Sequence, residues 1–155
     1  TKAGDRGRST YFRGGRAVGA DKDDGVFEVL GEVDELAAVL AIAGKQTGEE
    51  KRSARMTDCL VKIGGYVGGG QKEIGLNAEI EFMEEEIKKK SGGTGGFLRP
   101  GEEMDEWWNW VRTVARRLER RMVSLSKKTD IDKEILVYLN RLSDYLFIIS
   151  QESKS

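Results

Sequence analysis

The most constraining feature of this sequence is a series of arginines at helical spacing between Glu103 and Leu125. Arg112, Arg116 and Arg120 recur every fourth residue, so a helix would stack their guanidinium groups along one stripe. A second stripe of the same helix is apolar and comprises Trp107, Trp110 or Val111, Val114, Leu118, Met122 and Leu125. The stretch therefore predicts a helix with one buried face and one basic face.

The basic stripe has two interpretations. Like charges four residues apart repel by about 0.2–0.5 kcal/mol per pair, so a helix that needs only solubility would interleave acids and bases. Three stacked guanidiniums favour a bound anion such as a polyphosphate, because the arginine fork matches phosphate oxygens. The alternative is a solvated basic face with local counter-charges from Glu103, Asp105, Glu106 and Glu119.

Composition narrows the possible functions. The chain has 155 residues, 26 of them basic and 27 acidic, which predicts one domain and argues against bulk binding of nucleic acid or a membrane surface. No histidine is present, so histidine zinc sites and Ser-His or Cys-His nucleophiles are excluded. An enzyme of this composition must rely on positioning and electrostatics, or on a nucleophile that needs no activation.

Location and processing signals are few. No apolar run approaches the roughly 20 residues of a membrane span, and no signal peptide is recognisable. The single Cys59 fits a reducing, cytoplasmic environment and is expected to be a small buried residue. A start at Thr1 without methionine is typical of a fragment that lacks a short leader.

Residues 1–27 are glycine-rich and polar without a sustained period, which predicts a loop. Its first ten residues, TKAGDRGRST, combine glycines, basic side chains and adjacent hydroxyls, the ingredients of a phosphate cradle. They do not form a Walker A motif, because no Gly-Lys-Ser/Thr follows a strand. The alternative is a mobile glycine-rich N-terminus.

Apolar periodicity predicts helices over 32–45, 49–74, 77–90, the central arginine stretch, and 129–151. The second includes Gly64, Gly65 and the run 68–70, although each helical glycine costs about 1 kcal/mol. Thr129 and Asp132 resemble a capping box for the last helix, where Asn140, Arg141 and Asp144 are expected to have partners. No strand pattern is convincing. The prediction is an all-α, five-helix bundle with ferritin-like up-and-down packing, a single domain over 1–155 with loop 1–27 and bundle 28–155.

Several separated motifs then resemble one family. They are TKAGDRGRST with the later Lys22, the string from Gly31 to Leu36, Phe97 to Gly101, the spacing Arg112-x-x-x-Arg116-Arg117-x-Glu119-Arg120, and Tyr138 to Asp144. In this order they resemble the propanediol-utilisation type of ATP:cob(I)alamin adenosyltransferase, the group that includes the mitochondrial enzyme of vitamin B12 metabolism. The resemblance covers nearly the whole chain, and NRLSD together with RRxER is its most specific part.

The resemblance implies a homotrimer with active sites between subunits. It implies transfer of the 5′-deoxyadenosyl group of Mg²⁺-bound ATP to the cobalt of cob(I)alamin, giving adenosylcobalamin and tripolyphosphate. That reaction fits a chain without histidine, because cob(I)alamin is itself a strong nucleophile and needs no protein base. A flavoprotein reductase and an adenosylcobalamin-dependent enzyme are the further partners that it implies.

The resemblance also assigns site residues. The ATP phosphates fall to the backbone around Thr1, Lys2, Ala3 and Gly4, and to Ser9, Thr10 and Lys22. Triphosphate, ribose and adenine fall to Arg116, Arg117, Glu119, Arg120 and Asn140. Asp34 is expected to pair with Arg112 of a neighbouring subunit on the corrinoid side. Phe97 is expected to be an apolar wedge that displaces the lower axial ligand of cobalt, although from the residues alone it is an ordinary core anchor. No resident metal site is expected.

The chain departs from the family pattern at a few positions. Ala3 stands where threonine is usual, the segment before Lys22 is longer, and Gly-Glu-Glu follows Pro100 in place of Gly-Gly. Two other functions remain open at this point: a carrier of ATP or adenosylcobalamin with little turnover, and a non-enzymatic helical module whose arginine stripe meets an acidic partner.

Overall fold

The computed structural model describes residues 4–13, 16–21, 24–90 and 101–152. Within them the chain forms a short antiparallel hairpin followed by five helices. The elements are β1 (Arg8–Arg13), β2 (Arg16–Asp21), α1 (Gly25–Thr47), α2 (Glu50–Val67), α3 (Asn77–Lys90), α4 (Glu106–Ser126) and α5 (Lys133–Glu152). The helical part of the prediction is confirmed, and the homotrimer remains a prediction.

The hairpin corrects the expectation of an all-α chain whose first 27 residues form a loop. Tyr11 lies opposite Val18 and Ser9 opposite Ala20 across the ladder, and all four are half-buried while their neighbours are exposed. This is the period of two that a strand requires. The glycines and charged residues around it hide the pattern, and the described part of the chain is therefore mostly helical with one two-stranded sheet.

Helix ends differ from the predicted ones where a cap was not recognised. α1 begins at Gly25 instead of Glu32, because the Asp24 carboxylate accepts a 2.9 Å hydrogen bond from the Val26 N–H and caps the helix. The cap of α5 is Asp132 and not Thr129, since the Asp132 carboxylate accepts from the Glu134 N–H at 2.9 Å. The bundle thus starts slightly before residue 28.

α2 ends at Val67, so the predicted helix over 49–74 is wrong in its last part. Gly64 and Gly65 are helical as expected, but Gly68 caps the helix and Gly69 adopts φ +83°, outside the helical region. A glycine run has no side chain to hold helical geometry and takes a left-handed turn at no steric cost. α3, by contrast, has the predicted bounds.

The buried side of α4 consists of Trp108, Val111, Val114, Ala115, Leu118, Met122 and Leu125. Val111 is fully buried, whereas 43% of Trp110 is exposed, which decides between the two predicted alternatives. Trp107 is only partly buried against the core, and Trp108 takes the central place instead. α4 packs against α1 and α5, α1 also against α2, and α5 against α3, so α4 has a core side and an outer side.

The expectations for Cys59 and for membrane spans can be compared with the structure. Cys59 is buried as expected, and burial raises the pKa of its thiol. In the part of the chain that the structure describes, none of the helices has the length and apolar character needed to cross a membrane.

Candidate functional site

The arginines of α4 fall into two rows. The open row consists of Arg112, Arg116 and Arg120, and the paired row consists of Arg117 and Arg121. Arg116 and Arg117 are neighbours in sequence, as are Arg120 and Arg121, and successive residues are rotated by about 100° around a helix. The two rows therefore point in different directions.

The paired row faces α1. The Arg117 Nε lies 2.7 Å from a Glu32 carboxylate oxygen, and its Nη2 pairs with Glu35. Hydrogen bonds from Arg117 to Glu32 and Glu35 raise the pKa of the Arg117 guanidinium. Arg121 lies 3.2 Å from Glu28 in a more exposed ion pair. This row is neutralised by an acidic stripe on α1.

The open row has no such partner. Arg116 and Arg120 form no ion pair with any carboxylate in the described ranges. Arg112 donates to the Asn109 side-chain oxygen at 3.0 and 3.1 Å and lies 5.7 Å from the centre of the Phe147 ring. Burial, followed by the positive charge of Arg116, lowers the pKa of the Arg112 guanidinium. A bound anion would relieve this concentration of positive charge.

Arg116 and Arg120 line a groove of about 480 Å³ on the outer side of α4 and α5. Its other walls are Glu119, Val123, Ser124 and Asn140. The groove thus brings together two guanidiniums that form no ion pair within the described residues, one carboxylate, one amide, one hydroxyl and one apolar side chain. These are the groups that a phosphorylated ligand with a polar and partly apolar body would need.

A hydrogen-bond network fixes the neutral wall of the groove. The Asn140 amide nitrogen donates to Glu119 at 3.2 Å, and the Arg141 Nη1 donates to the Asn140 amide oxygen at 2.9 Å. Arg141 is anchored in turn by Glu84 of α3 at 2.8 Å. The Ser143 hydroxyl donates to the second Glu119 oxygen at 3.4 Å. Asn140 and Glu119 are therefore held in defined orientations before any ligand arrives.

The network includes three residues of α5 for which the sequence predicted partners. Asn140, Arg141 and Asp144 have the partners that were expected for them, Asp144 being 3.9 Å from Arg141. Ser143 and Glu84 were not singled out as site residues. The spacing of three between Asn140 and Ser143 places both on one helix face and was the available signal for Ser143. Glu84 lies within an acidic run on α3 and has no local signal.

Among the described residues, the other predicted site residues do not line the groove. Ser9 is half-buried and Thr10 exposed on β1, and Gly4 accepts a backbone hydrogen bond from Gly7 in the turn before it. Asp34 is exposed on α1, and within the described residues it forms no ion pair with Arg112. Thr1, Lys2, Ala3, Lys22 and Phe97 lie outside the described residues.

The groove has no ready-made metal site. Across 4–13, 16–21, 24–90 and 101–152, no three Asp, Glu, Cys or His side chains converge closely enough to hold an ion. Glu119 is the single carboxylate among the groove residues.

Comparison with known proteins identifies the same family across the chain. The family described as cobalamin adenosyltransferase matches residues 1–152. The corrinoid adenosyltransferase of Bacillus subtilis is 34% identical over 161 residues, covering 95% of this chain and 81% of that protein. The human corrinoid adenosyltransferase MMAB is 31% identical over 169 residues, covering 97% of this chain and 66% of that protein.

The fold has a matching solved structure. A phenylalanine-to-histidine variant of the PduO-type ATP:corrinoid adenosyltransferase from Lactobacillus reuteri, complexed with cobalamin and ATP, superposes with a TM-score of 0.82. The match has 23% sequence identity and covers 97% of this chain and 88% of the other. Hairpin, five helices and motif order agree with one assignment, and the chain belongs to the cobalamin adenosyltransferase family.

Proposed function

We infer that this chain is a corrinoid adenosyltransferase, which transfers the 5′-deoxyadenosyl group of ATP to the cobalt of cob(I)alamin. In this reaction the cobalt electron pair forms a bond to C5′ while the C5′–O bond breaks. The bonding electrons leave with the oxygen, so the products are adenosylcobalamin and tripolyphosphate. The observation that carries this inference is the open row beside its groove, in a chain whose relatives are corrinoid adenosyltransferases.

The groove suits the demands of that step. Negative charge accumulates on the departing triphosphate, and Arg116 and Arg120 supply positive charge that no carboxylate in the described chain neutralises. Glu119 and Asn140 present an acceptor and an amide for the ribose and adenine, and their network keeps both in place. No proton has to be removed from the attacking cobalt, which suits a chain without histidine.

A homotrimer would complete the site. The groove residues come from α4 and α5 alone, while Ser9 and Thr10 lie on the hairpin and do not line the groove. We propose that the N-terminal segment of a neighbouring subunit supplies the phosphate contacts of Thr1, Lys2, Ala3, Gly4, Ser9, Thr10 and Lys22. The exposed Asp34 of one subunit would then pair with Arg112 of the next on the corrinoid side.

Other parts of the proposal come from the family resemblance. Mg²⁺ enters as part of the ATP substrate, in keeping with the lack of a converging donor set in the described chain. Phe97 acts as the wedge beneath cobalt, so Phe97→Ala should slow the reaction that starts from Co(II) more than the one from free Co(I). The enzyme works in the cytoplasm with a flavoprotein reductase and delivers its product to an adenosylcobalamin-dependent enzyme.

An anaerobic optical assay tests the function. Chemically reduced cobalamin, ATP and magnesium are mixed with the protein, and the Co(I) band is followed into the spectrum of a light-sensitive alkylcobalamin. We expect conversion that requires both ATP and protein. ATP binding by calorimetry without conversion would replace the enzyme with a carrier. Absence of both would leave a helical module that binds neither substrate.

A further inference from the structure

The hairpin that carries Ser9 and Thr10 is joined to the helical bundle at very few points. Within the described chain, one backbone hydrogen bond joins β1 to the bundle, from the Phe12 N–H to the Gly68 carbonyl oxygen at 2.9 Å. Another joins the end of β2 to the cap of α1, from the Asp24 N–H to the Asp21 carbonyl oxygen at 3.0 Å. The ion pair between Arg8 and Asp21 joins the two strands of the hairpin to each other and does not join them to the bundle. A cavity of about 340 Å³ lies beside the Phe12–Gly68 hydrogen bond, between Tyr11, Phe12 and Arg13 of β1 and residues at the end of the bundle.

Beside the Phe12–Gly68 hydrogen bond, the backbone of Gly69 closely approaches the backbone of Phe12. At Gly69 an added Cβ would lie 1.6 Å from the Phe12 carbonyl oxygen and 2.3 Å from its carbonyl carbon. These distances are far below van der Waals contact, and the obstacle is backbone that cannot rotate away. Gly69 also has φ +83°, a conformation that an L side chain rarely adopts. Any other residue here would displace β1.

A weaker contact supports the same attachment. The Tyr11 ring meets the Phe27 ring of α1 edge-on, with centroids 5.8 Å apart. Aromatic pairs of this geometry contribute about 0.5–1.5 kcal/mol beyond their buried area. The hairpin is therefore held at two places: by the turn that contains Gly68 and Gly69, and by the Phe27 ring.

We propose that Gly69 is a positioning residue for the nucleotide: by admitting the Phe12 backbone, it fixes the hairpin and with it Ser9 and Thr10. This proposal rests on the proposed function. Thr10 and Ser9 lie two and three residues from Phe12, or about 7 to 10 Å along an extended strand. Because the paired strands move together, a displacement at Phe12 reaches both hydroxyls.

The test uses two glycines with the same backbone strain and different surroundings. Gly75 has φ +61° and nothing within 4 Å of an added Cβ, so Gly75→Ala imposes the strain without an obstacle. Gly69→Ala imposes both. We expect Gly69→Ala to raise the KM for ATP by about tenfold, the cost of losing a hydrogen-bonded contact, with a smaller change in kcat. Gly75→Ala should lower thermal stability by less than Gly69→Ala and leave the KM for ATP unchanged.

A second readout does not need turnover. Amide hydrogen exchange at Phe12 should accelerate in Gly69→Ala and stay at the wild-type rate in Gly75→Ala. Tyr11→Leu, which removes the ring contact with Phe27 and leaves the glycine turn unchanged, should raise the KM for ATP by a few fold. It therefore gives an answer even if Gly69→Ala fails to fold.

The outcomes separate this proposal from the proposed function. An active wild type with an unchanged KM in both Gly69→Ala and Tyr11→Leu would overturn the positioning role and leave the enzyme function intact. A wild type that neither binds nor converts ATP would overturn both the function and the nucleotide role of Gly69. Equal KM increases in Gly69→Ala and Gly75→Ala would assign the effect to backbone strain and overturn the proposal.

Discussion

Arg117 and Arg121 face α1 and are neutralised by its glutamates, whereas Arg116 and Arg120, one residue before each, face a groove and form no ion pair within the described chain. The surroundings of the two rows shift the pKa of an arginine in opposite directions. Hydrogen-bonded carboxylates raise the pKa of Arg117, while burial and a neighbouring guanidinium lower the pKa of Arg112 in the open row. One helix thus uses the same side chain in two ways: the paired row joins helices, and the open row is the one that we propose binds an anion.

The largest expected effect comes from removing Arg116. Arg116→Ala should lower kcat by about 10²–10³-fold, as for the loss of one group that stabilises charge in a transition state. Its thermal stability should be unchanged or slightly higher, because like-charge repulsion with Arg112 and Arg120 is relieved. The anaerobic cobalamin assay and a thermal melt measure the two quantities. Undiminished turnover would remove the phosphate role from the open row.

Arg117→Ala should have the reverse signature. Only 12% of the Glu32 side chain is exposed, so loss of Arg117 leaves a largely buried carboxylate without its partner. The cost is about 1–2 kcal/mol of unfolding free energy, or a fall of roughly 2–8 °C in Tm at this chain length. Denaturant unfolding measures it, with Arg116→Ala as the control.

The same variant decides the nucleotide role that the family resemblance assigns to Arg117. If Arg117 serves mainly to join α4 to α1, the enzyme that remains folded should keep most of its kcat at a temperature well below the melting transition. A loss of kcat as large as that of Arg116→Ala would place Arg117 at the ATP as well, and would erase the functional difference between the two rows.

Helix α1 and the hairpin show which parts of the fold can be predicted from the sequence and which cannot. The period of α3 and α4 persists over several turns, so their helices and the core face of α4 were predictable. The partner of Arg121 was not predicted, because the expected start of α1 at Glu32 excluded Glu28 from the helix. With α1 beginning at Gly25, Glu28, Glu32 and Glu35 form one acidic stripe that matches the paired row. The missed cap at Asp24 thus concealed a tertiary contact.

The hairpin was missed for a different reason. Its strands are short and their alternation is only between half-buried and exposed, so glycine and charge dominate the local pattern. Its place in the fold depends on Gly69, more than 50 residues away, where the sequence shows only a glycine run. Non-local backbone contacts of this kind leave no periodic signal. The open row, in contrast, was evident from spacing alone because it lies on one helix.

Asn140→Ala tests whether the neutral wall of the groove supports the open row. The change removes the amide that donates to Glu119 and frees Arg141 from one of its acceptors. Loss of one such hydrogen bond costs about 0.5–1.5 kcal/mol, so the KM for ATP should rise by roughly two- to tenfold. Val137→Ala, on the exposed side of the same helix, is the matched control. An equal change in both variants would mean that the network does not orient the ligand.

Among these substitutions, Arg121→Ala is expected to change stability least, and it can be compared directly with Arg117→Ala in the same row. Arg121 and Glu28 are 3.2 Å apart, but their side chains are 52% and 41% exposed, so water replaces most of the ion pair when it is broken. Arg121→Ala should therefore change the unfolding free energy by less than about 1 kcal/mol, the range of surface salt bridges. Arg117→Ala should exceed it, since Glu32 is much less exposed than Glu28. Denaturant unfolding of the two variants side by side measures the difference. If Arg121→Ala were as destabilising as Arg117→Ala, burial of the carboxylate would not be what gives the paired row its stabilising effect.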